Sequence, residues 1–243
     1  MDTTRRNFLL STSHAGAIGA GALAATACTA SGPSNLHVVL LGDSIFDNGR
    51  YVPGEPCVSE QLAKELEGRG RATLLAVDGD TARDVDAQRE RLPADATHLI
   101  VSVGGNDALP HTDLLVRPVD NAAELLVALA AAQDTFRADY RRMLAGVRGH
   151  GKPVAVCTIY DSNFTGQQKR LADVALSVWN DVILREAGAA GVPVIDLRRL
   201  FTAPADYSNE IEPSVVGGKK LVKAIAAVVA QHDFAAGRTT LYA

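Results

Sequence analysis

Residues 36–48 read LHVVLLGDSIFDN. A short run rich in Val and Leu that stops at a glycine is the signature of a buried strand. The glycine then lets the chain turn sharply, so Ser44 stands just beyond a strand end. The same pattern recurs down the chain. Residues 72–77 (ATLLAV) lead into Asp78-Gly79-Asp80-Thr81, and 98–103 (HLIVSV) lead into Gly104-Gly105-Asn106-Asp107. Further strands are expected over 154–159 and 192–197. Helical spacing appears between them, over 58–66, 81–92 (stopped by Pro93), 121–147 as one or two helices, 169–187 and 215–231. Strands that alternate with helices and are apolar without alternation predict an α/β fold with a five-stranded parallel sheet covered on both faces. In such sheets ligands sit beyond the carboxyl ends of the strands.

Composition narrows the class. The chain has 243 residues, an apolar fraction of 47% and a net charge of −4, with both signs dispersed. These values suit one globular domain. There is no basic stripe with interleaved aromatics, so nucleic acid is not an expected partner. Three cysteines, Cys28, Cys57 and Cys157, are too few for a disulfide scaffold and lack zinc spacing. The six histidines form no ligand pattern. No metal or other cofactor is expected.

The N-terminus reads MDTTRRNFLLSTSHAGAIGAGALAATAC. Arg5 and Arg6 followed by a mild Ala/Gly-rich run resemble a twin-arginine export signal over residues 1–27. Ala25-Thr26-Ala27 fits a small-x-small cleavage site, and Cys28 directly after it fits lipid attachment. The two endings give a periplasmic or secreted protein, or one tethered to a membrane through Cys28. Residues 28–35 read as a short linker and 36–243 as one globular domain.

The three polar, glycine-rich strand ends suggest acyl chemistry. A serine hydroxyl at a strand-to-helix turn can act as a nucleophile. The tetrahedral oxyanion it forms needs preorganised donors, which a glycine N–H and an Asn amide supply. Ser44, Gly79 and Asn106 are thus candidates for nucleophile and oxyanion hole. Each turn alone is ordinary, and Asp80 or Thr81 reads equally well as a helix cap. Taken together, GDS at 42–44, VDGDT at 77–81 and GGND at 104–107 resemble the first three blocks of the SGNH/GDSL hydrolases. The resemblance spans about residues 36–231. It implies a three-layer α/β/α sandwich with a flavodoxin-like sheet and hydrolysis of esters on small molecules, lipids or acylated carbohydrates. It also implies Ser44 as nucleophile, with the Ser44 N–H, Gly79 and Asn106 forming the oxyanion hole.

The fourth block departs from the family, which expects Asp-x-x-His. Here Asn209-Glu210-Ile211-Glu212 stands in its place, so Glu212 occupies the histidine position and Asn209 the orienting position. The next histidine toward the C-terminus, His232, lies about five helical turns on. His111, after the GGND loop, is a second candidate base or a solvated loop residue. Asp196 reads as a helix cap or as an orienting group for Glu212. Cys157, Phe136 and Trp179 read as core, and Cys57 as a partly exposed thiol. Two functions remain open. In one, Glu212 replaces histidine as an atypical base in an exported serine esterase; in the other, the chain has lost catalysis and binds an acyl or carbohydrate ligand without cleaving it.

Changing Arg5 and Arg6 to Lys is expected to strand precursor in the cytoplasm, as measured by cell fractionation. Intact-mass analysis of the exported protein distinguishes simple cleavage from lipid on Cys28.

Overall fold

The structure, a computed structural model, describes residues 35–243. The export signal, Cys28 and nearly all of the linker lie outside the described residues. The sheet contains β1 (Leu36–Gly42), β2 (Gly70–Leu74), β3 (His98–Ser102), β4 (Val154–Cys157), β5 (Val194–Ile195) and β6 (Leu241–Tyr242). Its order is β2-β1-β3-β4-β5-β6, and every pairing is parallel. The sheet thus has six strands where the sequence pattern predicts five. Strand β6 is two residues long, too short to leave a periodic signal, and it pairs Val194 with Leu241 and Ile195 with Tyr242.

The helices are α1 (Val58–Glu65), α2 (Val85–Arg89), α3 (Gly105–Ala108), α4 (Ala122–Arg148), α5 (Gly166–Ala190), α6 (Leu197–Leu200) and α7 (Val215–Gln231). Strand β1 shows why both faces of the sheet read as apolar. Val38 and Leu40 pack with Val58 and Leu62 of α1 and with Leu221, Ile225 and Val228 of α7. Val39 and Leu41 point the other way, onto Val85 of α2, Phe136 and Met143 of α4, and Trp179 and Ile183 of α5. Each such side chain contributes about 1.5–3 kcal/mol on burial, so a strand between two helical layers cannot alternate with polar residues. Leu221, Ile225 and Val228 follow the helical i, i+4, i+7 spacing. Ser214 starts α7, its Oγ accepting from the N–H groups of Val216 and Gly217.

The expected helix over 81–92 shrinks to the five residues of α2. Its first turn is diverted because the Asp84 carboxylate accepts from the N–H and hydroxyl of Thr81. The second strand also leaves the ladder early. Leu75 and Ala76 still donate to the Leu40 carbonyl, and Val77 to that of Gly42. This bend swings Asp78 and Gly79 over the end of β1. Because β1 lies between β2 and β3, the chain departs from it in opposite directions on its two sides. A crevice opens at the carboxyl ends of β1 and β3, the ligand position of this strand order.

Gly42 makes the close approach of β1 to Ser102 at the end of β3 possible. Its φ is 126°, and a Cβ there would lie 1.8 Å from the backbone oxygen of Ser102. Gly42→Ala is therefore expected to cost at least about 3 kcal/mol, combining disfavoured backbone with overlap against main chain. Urea unfolding of wild type and variant measures this.

Candidate active site

Ser44 sits in the turn after β1, buried, with its hydroxyl donating to Oε1 of Glu212 at 3.2 Å. The two residues are 168 positions apart, so the fold itself brings them together. The turn is held locally. Asp43 N–H donates to the Ser102 carbonyl, and the Asp43 carboxylate accepts from the Ile45 N–H at 3.1 Å.

Glu212 lies in a tight loop just before α7. Ser208 N–H donates to the Glu212 carbonyl at 2.9 Å, and Tyr207 bridges Pro213 in antiparallel fashion. The Asn48 amide donates to the Pro213 carbonyl at 3.1 Å, while its oxygen accepts from Val58 N–H at 2.9 Å. Tyr160 donates its hydroxyl to the Ile211 carbonyl. The main chain on both sides of Glu212 is thus fixed, and only its carboxyl group reaches the serine.

Asn209 is not brought to Glu212. It is exposed, and its Oδ1 accepts from the Ile211 N–H at 2.8 Å, closing the loop on itself. Asp196 pairs with Arg198 and accepts from Thr158, so it orients neither Glu212 nor, by a side-chain bond, the helix that follows it. His111 is half-buried in the pocket wall, its ring 5.7 Å from that of Trp179. It makes no hydrogen bond to Ser44.

Burial sets the electrostatics. It pushes the Glu212 carboxyl up to about 7, partly opposed by the Ser44 hydroxyl, and the Asp78 charge raises it further. Arg50, 3.1 Å from Asp78, pulls the other way. Oε2 of Glu212 is buried and, among the described residues, has no hydrogen-bond partner. Asp43 is held well above the usual carboxylate range by burial, and the nearby Glu212 and Asp107 carboxyls add to this.

Gly79 has φ 91° and leaves its surroundings open. Among the described residues, the N–H groups of Ser44 and Gly79 donate to no protein acceptor. Asn106, at the start of α3, spends one amide hydrogen on the Asp80 carbonyl at 3.0 Å. Its second remains free.

Gln88 is a contributor that the sequence does not advertise. Buried on α2, it accepts from the Gly42 N–H at 2.8 Å. Its amide donates to the Gly42 carbonyl at 2.7 Å and to Asp80 Oδ2 at 2.8 Å. It thereby ties the Ser44 turn to the Gly79-Asp80 turn. The one available clue is its spacing three residues from Val85, on the same buried helix face.

Beside Ser44 opens a pocket of about 140 Å³ whose wall is mostly apolar. Ile45, Leu109, Leu115, Ile159, Leu176 and Trp179 contribute to it. Trp179, expected as plain core, is a wall residue as well.

A model of the GDSL-like lipase/acylhydrolase family matches residues 40–215, a span that includes Ser44, Gly79, Asn106 and Glu212. The chain belongs to this family. Family membership supports ester hydrolysis in general. Comparison with curated proteins gave no match. Among solved structures, the fold is similar to an extracellular lipase from Streptomyces rimosus, at 18% identity and TM-score 0.61, covering 79% of this chain and 99% of that one. It is also similar to an acetyl xylan esterase from Geobacillus stearothermophilus, at 21% identity and TM-score 0.61, covering 82% and 96%. A phospholipase A1 from Streptomyces albidoflavus matches at 17% identity and TM-score 0.59, covering 79% and 99%. At these identities the likeness shows the shared α/β/α fold.

A buried acid whose pKa is raised favours the folded state below its unfolded pKa and loses that contribution as pH rises through its folded pKa. For Glu212 the window runs from about pH 4.5 to about 7. Glu212→Gln is therefore expected to be more stable than wild type at pH 8, with the advantage shrinking by about 2–3 kcal/mol at pH 4.5. Denaturant unfolding at the two pH values tests this.

Proposed function

We propose that this protein is an exported serine esterase in which Ser44 and Glu212 act as a catalytic dyad. The observation that carries the reading is the Ser44 hydroxyl donating to a buried carboxyl whose pKa is about 7. A carboxylate at its usual pKa is a weak base at neutral pH. One raised to about 7 is matched to that pH and still half ionised there.

The reaction follows from the geometry. Glu212 takes the hydroxyl proton as Ser44 Oγ bonds to the ester carbonyl carbon. The resulting oxyanion is held by the free N–H groups of Ser44 and Gly79 and by the second amide hydrogen of Asn106. Collapse breaks the carbon–oxygen bond to the alcohol, which leaves with the proton from Glu212. Water then attacks the acyl-enzyme, Glu212 takes its proton, and the acid departs as Ser44 regains its hydrogen. The apolar pocket beside Ser44 supports an acyl chain as the group transferred to the serine.

The alternative is a binding protein that keeps the pocket without turnover. The unpartnered Oε2 of Glu212 and the remote Asn209 are the observations on its side. A series of p-nitrophenyl esters of rising chain length decides between the two. Ser44→Ala is expected to abolish turnover and fluorophosphonate labelling without loss of fold. Glu212→Gln is expected to lose about 10²–10⁴-fold in kcat/KM, the usual worth of a general base. In wild type, kcat/KM is expected to rise with pH through about 7, following the ionisation of Glu212. Full activity in Glu212→Gln would move the base elsewhere, with His111 next in line. Absence of turnover and labelling in wild type would favour the binding protein.

A further inference from the structure

Gly79 is gripped through both of its neighbours. On one side Gln88 donates to the Asp80 carboxylate at 2.8 Å. On the other, Asp78 is enclosed by the segment that follows Ser44. The Asp78 N–H donates to Oδ2 of Asp47 at 3.0 Å. Its carboxylate accepts from the Tyr51 hydroxyl at 3.1 and 3.2 Å and from the Arg50 guanidinium at 3.1 Å. Arg50 also lies 5.6 Å from the centre of the Tyr51 ring, close enough for a cation–π contact. Tyr51 and Asp78 are 27 positions apart, so the fold joins them.

The same segment reaches the Glu212 loop. Tyr51 N–H donates to the Asn48 carbonyl at 2.9 Å, and the Asn48 amide donates to the Pro213 carbonyl at 3.1 Å. Residues 47–51 therefore touch both the turn that carries Gly79 and the loop that carries Glu212. Gly79 needs such support. A Cβ there would meet nothing within 4 Å, so no packing of its own fixes the direction of its N–H. That direction depends on how Asp78 and Asp80 are held.

Charge points to the same residues. The titratable groups that face Glu212 are Asp43 after β1, Arg50 and Tyr51 in the turn Gly49–Tyr51, Asp78 before Gly79, and Tyr160 after β4. Burial pushes both phenols up, so they are neutral near pH 7, and it holds Asp43 well above the usual carboxylate range. Arg50 and Asp78 remain as a pair of opposite charges, and they act on Glu212 in opposite senses.

We propose that Arg50, Tyr51 and Asp78 form a clasp of positioning residues, which fixes the Gly79 N–H for the oxyanion and presents Glu212 with an opposed charge pair. None of the three lines the apolar pocket, so the clasp acts on the reacting groups and not on the acyl chain. Its oxyanion half rests on the hydrolase reading, whereas its charge half is measurable without turnover.

The test uses the purified protein and a soluble short-chain p-nitrophenyl ester. Asp78→Ala, which opens the clasp, is expected to lower kcat at least about tenfold, since a misplacement of about 1 Å can cost about 10²-fold. KM is expected to stay put, as the weakened contact is made only in the transition state. Tyr51→Phe deletes a single hydroxyl and is expected to lower kcat in the same sense without moving the pH midpoint of kcat/KM. Asp78→Asn keeps an oxygen that accepts from Tyr51 but lacks the charge. It is expected to recover most of the kcat lost in Asp78→Ala and to shift the midpoint below that of wild type, because a charge that raises Glu212 is gone. Arg50→Gln is expected to shift the midpoint upward. A merely structural role would lower stability and activity together and leave the midpoint in place. Unchanged kcat in Asp78→Ala, or midpoints in Asp78→Asn and Arg50→Gln that stay still or move the same way, would overturn the proposal. The ionisation of Glu212 is also read without turnover, from the pH at which the stability difference between each protein and its Glu212→Gln partner changes. If wild type hydrolyses no ester, the hydrolase reading fails, and these stability midpoints decide: opposite shifts uphold the charge pair and unmoved ones sink it. Turnover with unmoved midpoints leaves the hydrolase and removes the clasp.

Discussion

The side-chain amide of Gln88 grips both polar groups of the Gly42 peptide and also holds Asp80. Asp80 in turn presents its carbonyl to Asn106, and the Asp107 carboxylate next door accepts from the Ala82 N–H. Three strand ends that are far apart in sequence become a single hydrogen-bonded platform. The sheet places these turns side by side, but only this chain of bonds fixes their mutual orientation. An unmet buried amide costs about 1–3 kcal/mol, so the arrangement has little freedom to drift. The free N–H groups of Ser44 and Gly79 and the spare hydrogen of Asn106 all project from this platform.

The same logic clarifies the change at the fourth block. An imidazole has two distinct nitrogens, and a partner on one must fix which of them carries the proton. A carboxylate has two equivalent oxygens and no tautomer to select. If Glu212 is the base, as proposed, an aspartate three residues earlier would have nothing to orient, and Asn209 is spent instead on closing its own turn. Glu212 needs a fixed backbone and a dry environment. The Asn48, Ser208 and Tyr160 hydrogen bonds supply the first, and burial supplies the second. Burial carries a cost in stability at neutral pH, as is common where a site tunes an acid toward its task.

Much of the fold was legible because apolar patterning encodes it. The bounds of α7 follow from Leu221, Ile225 and Val228, and β1, β3 and β4 are continuous apolar runs. Strand β6 was not legible, because two residues carry no period. The length of α2 is not legible either, because Asp84 captures Thr81 in a contact that no periodicity reports. At the site, Ser44, Gly79 and Asn106 stood out through their glycine-rich turns. The fourth block drew attention to Glu212, yet only three-dimensional placement shows its carboxyl meeting the serine and Asn209 facing away. Gln88 stayed hidden because side-chain bonds to a distant peptide leave no sequence pattern. Trp179 read as core because a wall residue and a core residue share the same spacing.

Helices α4 and α5 run side by side at a constant offset, since Gln133 meets Val178 and Arg141 meets Glu186, each pair 45 residues apart. Hydrogen bonds and ion pairs join the two helices from Gln133 downward. Above that point, among the described residues, no such bond links them, and their first turns lean on apolar contact alone. Segments held in this way open at free energies well below that of global unfolding. The pocket wall that these first turns build is therefore less firmly tied than the hydrogen-bonded platform under Ser44. Loosening of the wall by heat or denaturant is thereby separated from the arrangement of the turns around Ser44, which side-chain hydrogen bonds hold.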